Sequence, residues 1–446
     1  MLEALRHTVF RRLFMAQVIA LVGTGLTTVA LALLAYDLAG AQAGAVLGTA
    51  LAIKMGVYIV LGPVATAIVP PARRKAVLIA MDLVRAGVVL CLPFVDAIWQ
   101  VYVLIAVLQS ASACFTPLFQ SLIPEILPDE ATYTRALSLS RLAYDLEMLL
   151  SPALAAVLLT LMTFDTLFVG TSFGFIGSAL FVLAARIPAG ASHASNVSPY
   201  TRALRGMRIY VHTPRLRGLL ALNVVAAACG AMVFVNTVVV VRDVLGGQQN
   251  KVAWALAAFG GGSMLVALTL PRVLERFGDR IVMLTGGGVS VLALGCAWLL
   301  WRLQAGAPGW STVLTVWLVL GMAYAAIVTP SGRLLRRSAQ PDDLPQLFAA
   351  QFSLSHACWL LAYPLAGWVG ARVGLDASLA ALAVLGAVGV ICAWIAWPSS
   401  DPSELPHTHP ELPADHEHLR SQSSASGSGH VHDYRIDALH ERWPHA

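Results

Sequence analysis

Apolar segments recur along this chain from Leu13 to Trp397, separated by short charged or Pro/Gly-bearing turns. Crossing a hydrocarbon core takes roughly 20 mainly apolar residues. Twelve segments meet that length, at about 12–36, 44–69, 77–95, 98–123, 134–161, 164–187, 216–241, 251–274, 281–302, 310–335, 346–373 and 376–397. Hydrophobic residues make up 58% of the chain and charged residues only 12%, about half the roughly 25% charge of a soluble domain. The expectation is an all-α integral membrane protein. Arg6, Arg11 and Arg12 lead into a full-length first span, so no cleaved signal peptide is expected.

Charge supplies the orientation. The N-terminus and the even-numbered connections hold most of the arginines, including Arg73, Arg74, Lys75, the run Arg202 to Arg217, Arg272 to Arg280, and Arg333 to Arg337. The odd-numbered connections hold only Arg242, Lys251, Arg302 and Arg372. Both termini are therefore expected in the cytoplasm of a multi-pass protein of the cytoplasmic (inner) membrane. The net charge of +5 is then a topogenic signal, and no nucleic-acid partner is expected. All six cysteines fall within spans and none forms a Cys-x-x-Cys unit, so they are expected to be buried apolar residues without disulfides.

The longest internal connection divides the spans six and six. Residues 1–187 form an N-terminal half, 188–215 a cytoplasmic connection, 216–398 a C-terminal half and 399–446 a tail of disordered composition. The halves echo one another. Thr116-Pro117 corresponds to Thr329-Pro330 at an offset of 213, and Ser151-Pro152 to Tyr363-Pro364 at an offset of 212. Two pseudo-symmetric six-helix halves are a common architecture of secondary transporters.

Ionisable residues inside spans are costly and mark pathways or partners. The fifth span carries Arg141, Asp145 and Glu147. Arg141 and Asp145 stand four apart and can pair on one face, whereas Glu147 lies about 200° round the helix from Asp145. One acid is thus structural and the other faces the pathway, with the choice between them open. His356 lies near mid-bilayer in the eleventh span, where it either hydrogen-bonds a backbone carbonyl or serves a divalent ion or a proton. The 212-residue offset sets it opposite Tyr144, so the polar clusters of the fifth and eleventh spans occupy equivalent places. Lys54, about ten residues into the second span, requires a carboxylate or titrates during transport. Asn223, Asn236, Gln109, Ser112 and Gln120 are weaker candidates.

Eight of the twelve histidines occupy the last forty residues. They form the pairs His407/His409, His416/His418 and His430/His432, followed by His440 and His445. In an extended segment residues i and i+2 point the same way, so one pair can chelate one ion. Imidazole suits nickel, copper, zinc and cobalt alike. Tyr434 to Trp443 is expected to form a short amphipathic helix docked on the cytoplasmic face.

In these features the chain, from residue 1 to about 398, resembles the major facilitator superfamily. The superfamily's turn between the second and third helices is represented by Gly62 and Arg73-Arg74-Lys75, although Thr66 stands where the motif has its acid. Phe115-Thr116-Pro117-Leu118-Phe119-Gln120 and Asp82-Leu83-Val84-Arg85 resemble the drug, macrolide and siderophore exporters. Tyr133 to Glu147, Thr329-Pro330-Ser331-Gly332-Arg333, Ser355-His356-Ala357-Cys358-Trp359 and His430 to His440 are similar to nickel-resistance permeases with histidine-rich tails. The resemblance implies proton-coupled export of nickel, with cobalt as a second metal. Lys54, Arg141, Asp145, Glu147 and His356 would serve translocation and proton coupling, and Arg73, Arg74, Lys75, Asp82 and Arg85 the cytoplasmic gate. The alternative is export of an organic compound such as a siderophore or drug, for which Trp254, Trp359 and Trp368 could line a cavity. No Gly-x-x-x-x-Gly-Lys-Ser/Thr loop is present, so ATP is not expected to drive transport. The expected protein is a monomeric secondary transporter in membrane lipid, not an enzyme. No cofactor is expected, and metal ion and protons are its cargo.

Overall fold

In hydrocarbon every backbone polar group needs an internal partner, and helices supply it within one segment. The computed structural model describes residues 2–127, 129, 132, 136, 139, 140, 143, 147, 151, 153–187, 199–303, 309–340, 343–401, 404–408, 429–436, 439, 440 and 443. In the N-terminal half the helices are α1 (Thr8–Ala39), α2 (Ala43–Ile68), α3 (Arg74–Cys91), α4 (Ile98–Ile126) and α5 (Phe164–Ala184). Then come α6 (Pro199–His212), α7 (Pro214–Val239), α8 (Gln249–Leu303), α9 (Trp310–Val328), α10 (Ser331–Ser338), α11 (Leu344–Arg372) and α12 (Leu375–Ala396).

Among the described residues nine segments are long and apolar enough to cross a membrane, and the first of these, Thr8–Leu61, contains two helices. Helix α11 adds a 29-residue crossing length. The remaining predicted span, 134–161, is helical at its described positions from 132 to 158. The chain is thus an all-α membrane protein of two six-helix halves.

Glycine and proline punctuate this order. Gly40 ends α1 at φ 52° and Gly374 separates α11 from α12 at φ 129°, conformations a Cβ disfavours. Helix α8 covers two predicted spans, 251–274 and 281–302, and its 55 residues are broken at Gly278 (φ 73°, ψ 165°). The tenth predicted span, 310–335, stops at Val328, and Pro330 starts the separate helix α10. Pro214 opens α7 at a position where its missing N–H costs nothing. Span hydroxyls are satisfied within their own helices, as Thr24, Thr27 and Thr28 donate to carbonyls four residues back.

Helix α7 is buried along nearly its whole length. The halves meet chiefly through α2 and α11. At the end of the molecule away from the tail, Gly44 and Gly48 lie against Gly367 and the carbonyl of Tyr363. Gln42 Nε2 donates to the Ala371 carbonyl at 3.0 Å, and Trp368 Nε1 to Thr49 Oγ1 at 3.0 Å. At the opposite, arginine-rich end several pairings stay within one half. Lys75 Nζ donates to the carbonyls of Leu183 and Ala185, and Arg333 pairs with Asp279.

Three expectations change. Cys229 and Cys358 are buried, but Cys91, Cys296 and Cys392 are exposed and Cys114 is half-buried; all six are free thiols. Lipid is as apolar as a core, so hydropathy cannot separate the two. Within the tail, β1 (Glu404–Thr408) and β2 (Gly429–Asp433) pair antiparallel, where composition argued for disorder. The described residues of 434–443 are non-helical, yet Tyr434 and Ile436 are buried in the main core. Backbone pairing and two apolar side chains order these pieces despite their polar surroundings.

Candidate functional site

Four side chains converge halfway along α2 and α11. Lys54 and Tyr58 stand four residues apart on one face of α2, with Lys54 Nζ 5.9 Å from the Tyr58 ring centre. Glu147 approaches from segment 134–161, close enough for its charge and that of Lys54 to act on one another. It reaches this place because α1 carries Gly25, where a Cβ would lie 2.9 Å from Glu147 Oε1 and would collide with Ser151. From the other half, His356 of α11 stacks on Tyr58 with ring centres 5.5 Å apart and planes 5° apart. Phe352 completes the stack at 6.1 Å from Tyr58 and 4.0 Å from His356.

The imidazole has a definite polarity. His356 Nδ1 lies 2.7 Å from the Phe352 carbonyl, which can only accept, so Nδ1 donates. In the neutral ring Nε2 then holds a lone pair, the tautomer that metal-ligating histidines use. Of the two readings of a lone His in a span, the hydrogen bond to a backbone carbonyl is present.

Behind Lys54 is a small cavity of about 30 Å³ lined by Thr24, Thr27, Thr28, Gln109, Ser112 and Phe175, among others. That is room for a water, although Leu31, Leu51, Ile105 and Leu108 also line it. Phe175 also links this cavity to a second polar group. The Arg85 guanidinium lies between the rings of Phe115 (4.2 Å) and Phe175 (4.6 Å) and pairs with Asp82, to which Ser178 donates at 2.8 Å. Asp82 and Arg85 are buried and join α3, α4 and α5 inside the N-terminal half. Arg73 is exposed and Arg74 half-buried; neither they nor Lys75 come to the Lys54–Glu147 group.

The C-terminal half presents aromatic rings at the corresponding depth. Trp359 lies 4.9 Å from Tyr363, 6.1 Å from Phe234 and 6.3 Å from Tyr324, and Phe259 lies 5.5 Å from both Phe234 and Tyr324. Trp254 is exposed at the helix surface, and Trp368 is engaged with Thr49 and Arg372. Asn236 is buried and donates to the Ala366 carbonyl and Ser378 Oγ, joining α7 to α11 and α12.

Arg141, Asp145, His409, His416, His418 and His445 lie outside the described residues. His407 and His430 are register partners in the β1–β2 pair, and the rings of His432 and His440 are 5.1 Å apart. Among the described residues, no three or more His, Cys, Asp or Glu side chains are placed to hold a metal ion. Sequence reasoning missed Tyr58, although its spacing of four from Lys54 was the available signal. It also missed Arg215 at the start of α7, whose partner Asp401 (2.9 Å) is remote in the chain.

Residues 13–247 and 220–428 each match the family model described as Major Facilitator Superfamily. The chain is 24% identical over 342 residues to the uncharacterized MFS-type transporter YfiS of Bacillus subtilis (strain 168), covering 75% of this chain and 81% of that protein. It is 21% identical over 331 residues to macrolide efflux protein A of Enterococcus faecalis, covering 72% of this chain and 99% of that protein. Among solved structures, the nucleoside transporter NupG aligns with a TM-score of 0.62 at 14% identity, over 87% of this chain and 98% of that one. A bacterial homolog of the human lysosomal transporter Spinster, inward-facing and unoccupied, aligns with a TM-score of 0.65 at 12% identity, over 87% and 96%. At these identities the structural likeness speaks for the fold alone.

Proposed function

Because the chain belongs to the major facilitator superfamily, and is therefore a transporter rather than an enzyme, we propose that it exports its substrate in exchange for protons, with nickel as the first candidate. The observation that carries this reading is the Lys54–Glu147 pair set against the Tyr58–His356 stack, because it joins a proton-accepting group to the meeting surface of the halves. Removing one partner of a buried pair costs roughly 3–5 kcal/mol. Protonating the Glu147 carboxylate cancels its charge and leaves the Lys54 ammonium uncompensated, so the protonated and deprotonated states favour different arrangements of the halves. A divalent cation using the His356 Nε2 lone pair and the Glu147 carboxylate competes with both the proton and Lys54. That mutual exclusion is what an antiporter requires.

The arginine-rich end faces the cytoplasm in this proposal, by the positive-inside rule. The contacts of Gly44, Gly48 and Gly367 then close the outer side. Nickel is supported by the histidine-rich tail and by the resemblance to nickel-resistance permeases. A second reading, export of an organic compound, is supported by the rings of Phe234, Phe259, Tyr324, Trp359 and Tyr363 and by the macrolide efflux proteins among the relatives.

The test uses everted membrane vesicles energised with a proton gradient, comparing the full chain with a version ending at Pro398. Nickel uptake that collapses with an uncoupler is the expected result. No gradient-dependent nickel movement by the correctly inserted protein would overturn the nickel reading, and macrolide-like cations would then be assayed in the same vesicles.

A further inference from the structure

An ammonium group inside a membrane needs a partner wherever it points. When Glu147 holds a proton, or gives its carboxylate to a metal ion, Lys54 loses the opposite charge that acts on it. The cavity of about 30 Å³ beside Lys54 is placed to receive the displaced head. Lys54 is itself part of the cavity wall, so its flexible four-carbon stem can bring the ammonium in by rotation about its own bonds.

The polar part of that wall is made of acceptors. Thr24, Thr27 and Thr28 of α1 donate their hydroxyls to the carbonyls of Ala20, Gly23 and Thr24 at 2.9, 3.0 and 3.0 Å. From α4, Ser112 donates to the Leu108 carbonyl at 3.0 Å. A hydroxyl has one hydrogen and two lone pairs. With the hydrogen committed to its own helix, the only polar group each can offer the cavity is an accepting oxygen. Gln109, also on the wall and 9% exposed, adds an amide oxygen. A lysine head is the complement of such a wall, with three donors and no acceptor. The apolar residues opposite hold the space to about the size of one water, which an ammonium head also fills. Among the described residues no acid lines the cavity, so it solvates the head as water would rather than replacing Glu147 as a counter-charge. A free monovalent cation would find the same oxygens, but the charge of Lys54 at the wall repels it.

We propose that this cavity receives the Lys54 ammonium in the part of the transport cycle in which Glu147 is protonated or metal-bound, with Thr27 of α1 and Ser112 of α4 as its principal acceptors. Lys54 then swings from the side of Tyr58 and His356 into the interior of the N-terminal half. The swing withdraws a positive charge from the place where a cation meets Glu147 and His356. Lys54 alternates between a charged partner and a neutral one, and the hydroxyls set how readily it leaves Glu147. The occasion for the swing rests on the proton-exchange reading; the fit of the cavity to the ammonium does not depend on what is carried.

The test is a thermal-unfolding cycle on the purified full-length protein in detergent, in which Glu147→Gln imitates the protonated acid. Thr27→Val/Ser112→Ala keeps the shape of the wall and removes two acceptors. In the native background it should lower the unfolding temperature by less than about 2 °C, and in the Glu147→Gln background by about 4 °C or more. Adding Lys54→Met should abolish that difference. Ser110→Ala, which removes a hydroxyl of α4 that donates to the Ala106 carbonyl but does not line the cavity, should act equally in both backgrounds. A high-resolution structure of Glu147→Gln should place Lys54 Nζ within hydrogen-bond distance of Thr27 and Ser112. Equal effects of Thr27→Val/Ser112→Ala in the two backgrounds, or a Lys54 head that still points to position 147 in that structure, would overturn the proposal. Neither readout uses nickel or a gradient, so the cavity can fail while vesicle transport persists, or stand while nickel is not carried.

Discussion

In the N-terminal half, α1 gives way at Gly25 to Glu147 and Ser151; in the C-terminal half, α7 gives way at Gly230 to the indole of Trp359. The two crossings are similar and their contents differ in kind. The N-terminal crossing leads to Lys54 and a small cavity of mixed lining, in which Thr24, Thr27, Thr28, Gln109 and Ser112 stand beside Leu31, Leu51, Ile105, Leu108 and Phe175. The C-terminal one leads to Phe234, Phe259, Tyr324 and Tyr363. Duplicating a six-helix unit therefore duplicates the place where a side chain can enter, without specifying its chemistry. In the proposed mechanism the charged half carries the proton, whereas the aromatic half supplies the rings on which the second reading, export of an organic compound, depends. The Tyr58–His356 stack is where the two chemistries meet.

The sharpest way to break this division is Glu147→Gln, which keeps the shape and removes the charge. Gradient-driven transport should fall by about 100-fold or more, the equivalent of roughly 3 kcal/mol at 1.4 kcal/mol per tenfold. Nickel binding should weaken as well, because the carboxylate serves both the proton and the metal in this proposal, and gradient-driven transport near the native rate would argue that Glu147 is only structural. Lys54→Met removes the positive charge that acts on Glu147 and should lower the thermal unfolding temperature in detergent. The Lys54→Met/Glu147→Gln double variant should recover most of that loss, read by thermal unfolding in detergent.

Filling the two crossings sharpens the comparison. Gly25→Ala and Gly230→Ala should each destabilise by about 1–3 kcal/mol through overpacking. Only Gly25→Ala should also impair proton coupling, measured as substrate-induced proton release, because it crowds Glu147. Trp359→Ala removes aromatic contacts worth about 0.5–1.5 kcal/mol each. It should weaken binding of an organic cation about tenfold while leaving proton release intact, and equal damage to both would merge the roles of the halves. Tyr58→Phe should be mildest, within about twofold of native transport rates, since the stack with His356 needs the ring and not the hydroxyl.

Much of the fold was legible because lipid imposes a length and backbone chemistry imposes helices. The spans read from apolar runs agree with α1 to α4, α7, α11 and α12 to within a few residues. Pro330 and Gly278 also behave as their local conformational limits require. The site was legible only as separate anomalies. Lys54, Glu147 and His356 each stand out as polar residues in apolar runs, but their convergence depends on which helices neighbour one another. The exposed Cys91, Cys296 and Cys392 look the same in sequence as the buried Cys229 and Cys358. Arg215 looks like one more topogenic arginine, yet it is the platform for Ser338, Asp401 and Trp443.

The sequence by itself determined that this protein spans a membrane in two repeated halves, since segment length, periodic offset and the asymmetry of basic residues are one-dimensional properties. Only the tertiary structure decided that Glu147 lies beside Lys54, that His356 stacks on Tyr58 and that the tail's end rests on Arg215. Those contacts are set by helix rotation and by approach at Gly25, Gly44, Gly48 and Gly367. A steric opening left by a missing Cβ can be recognised only once the opposing helix is in place.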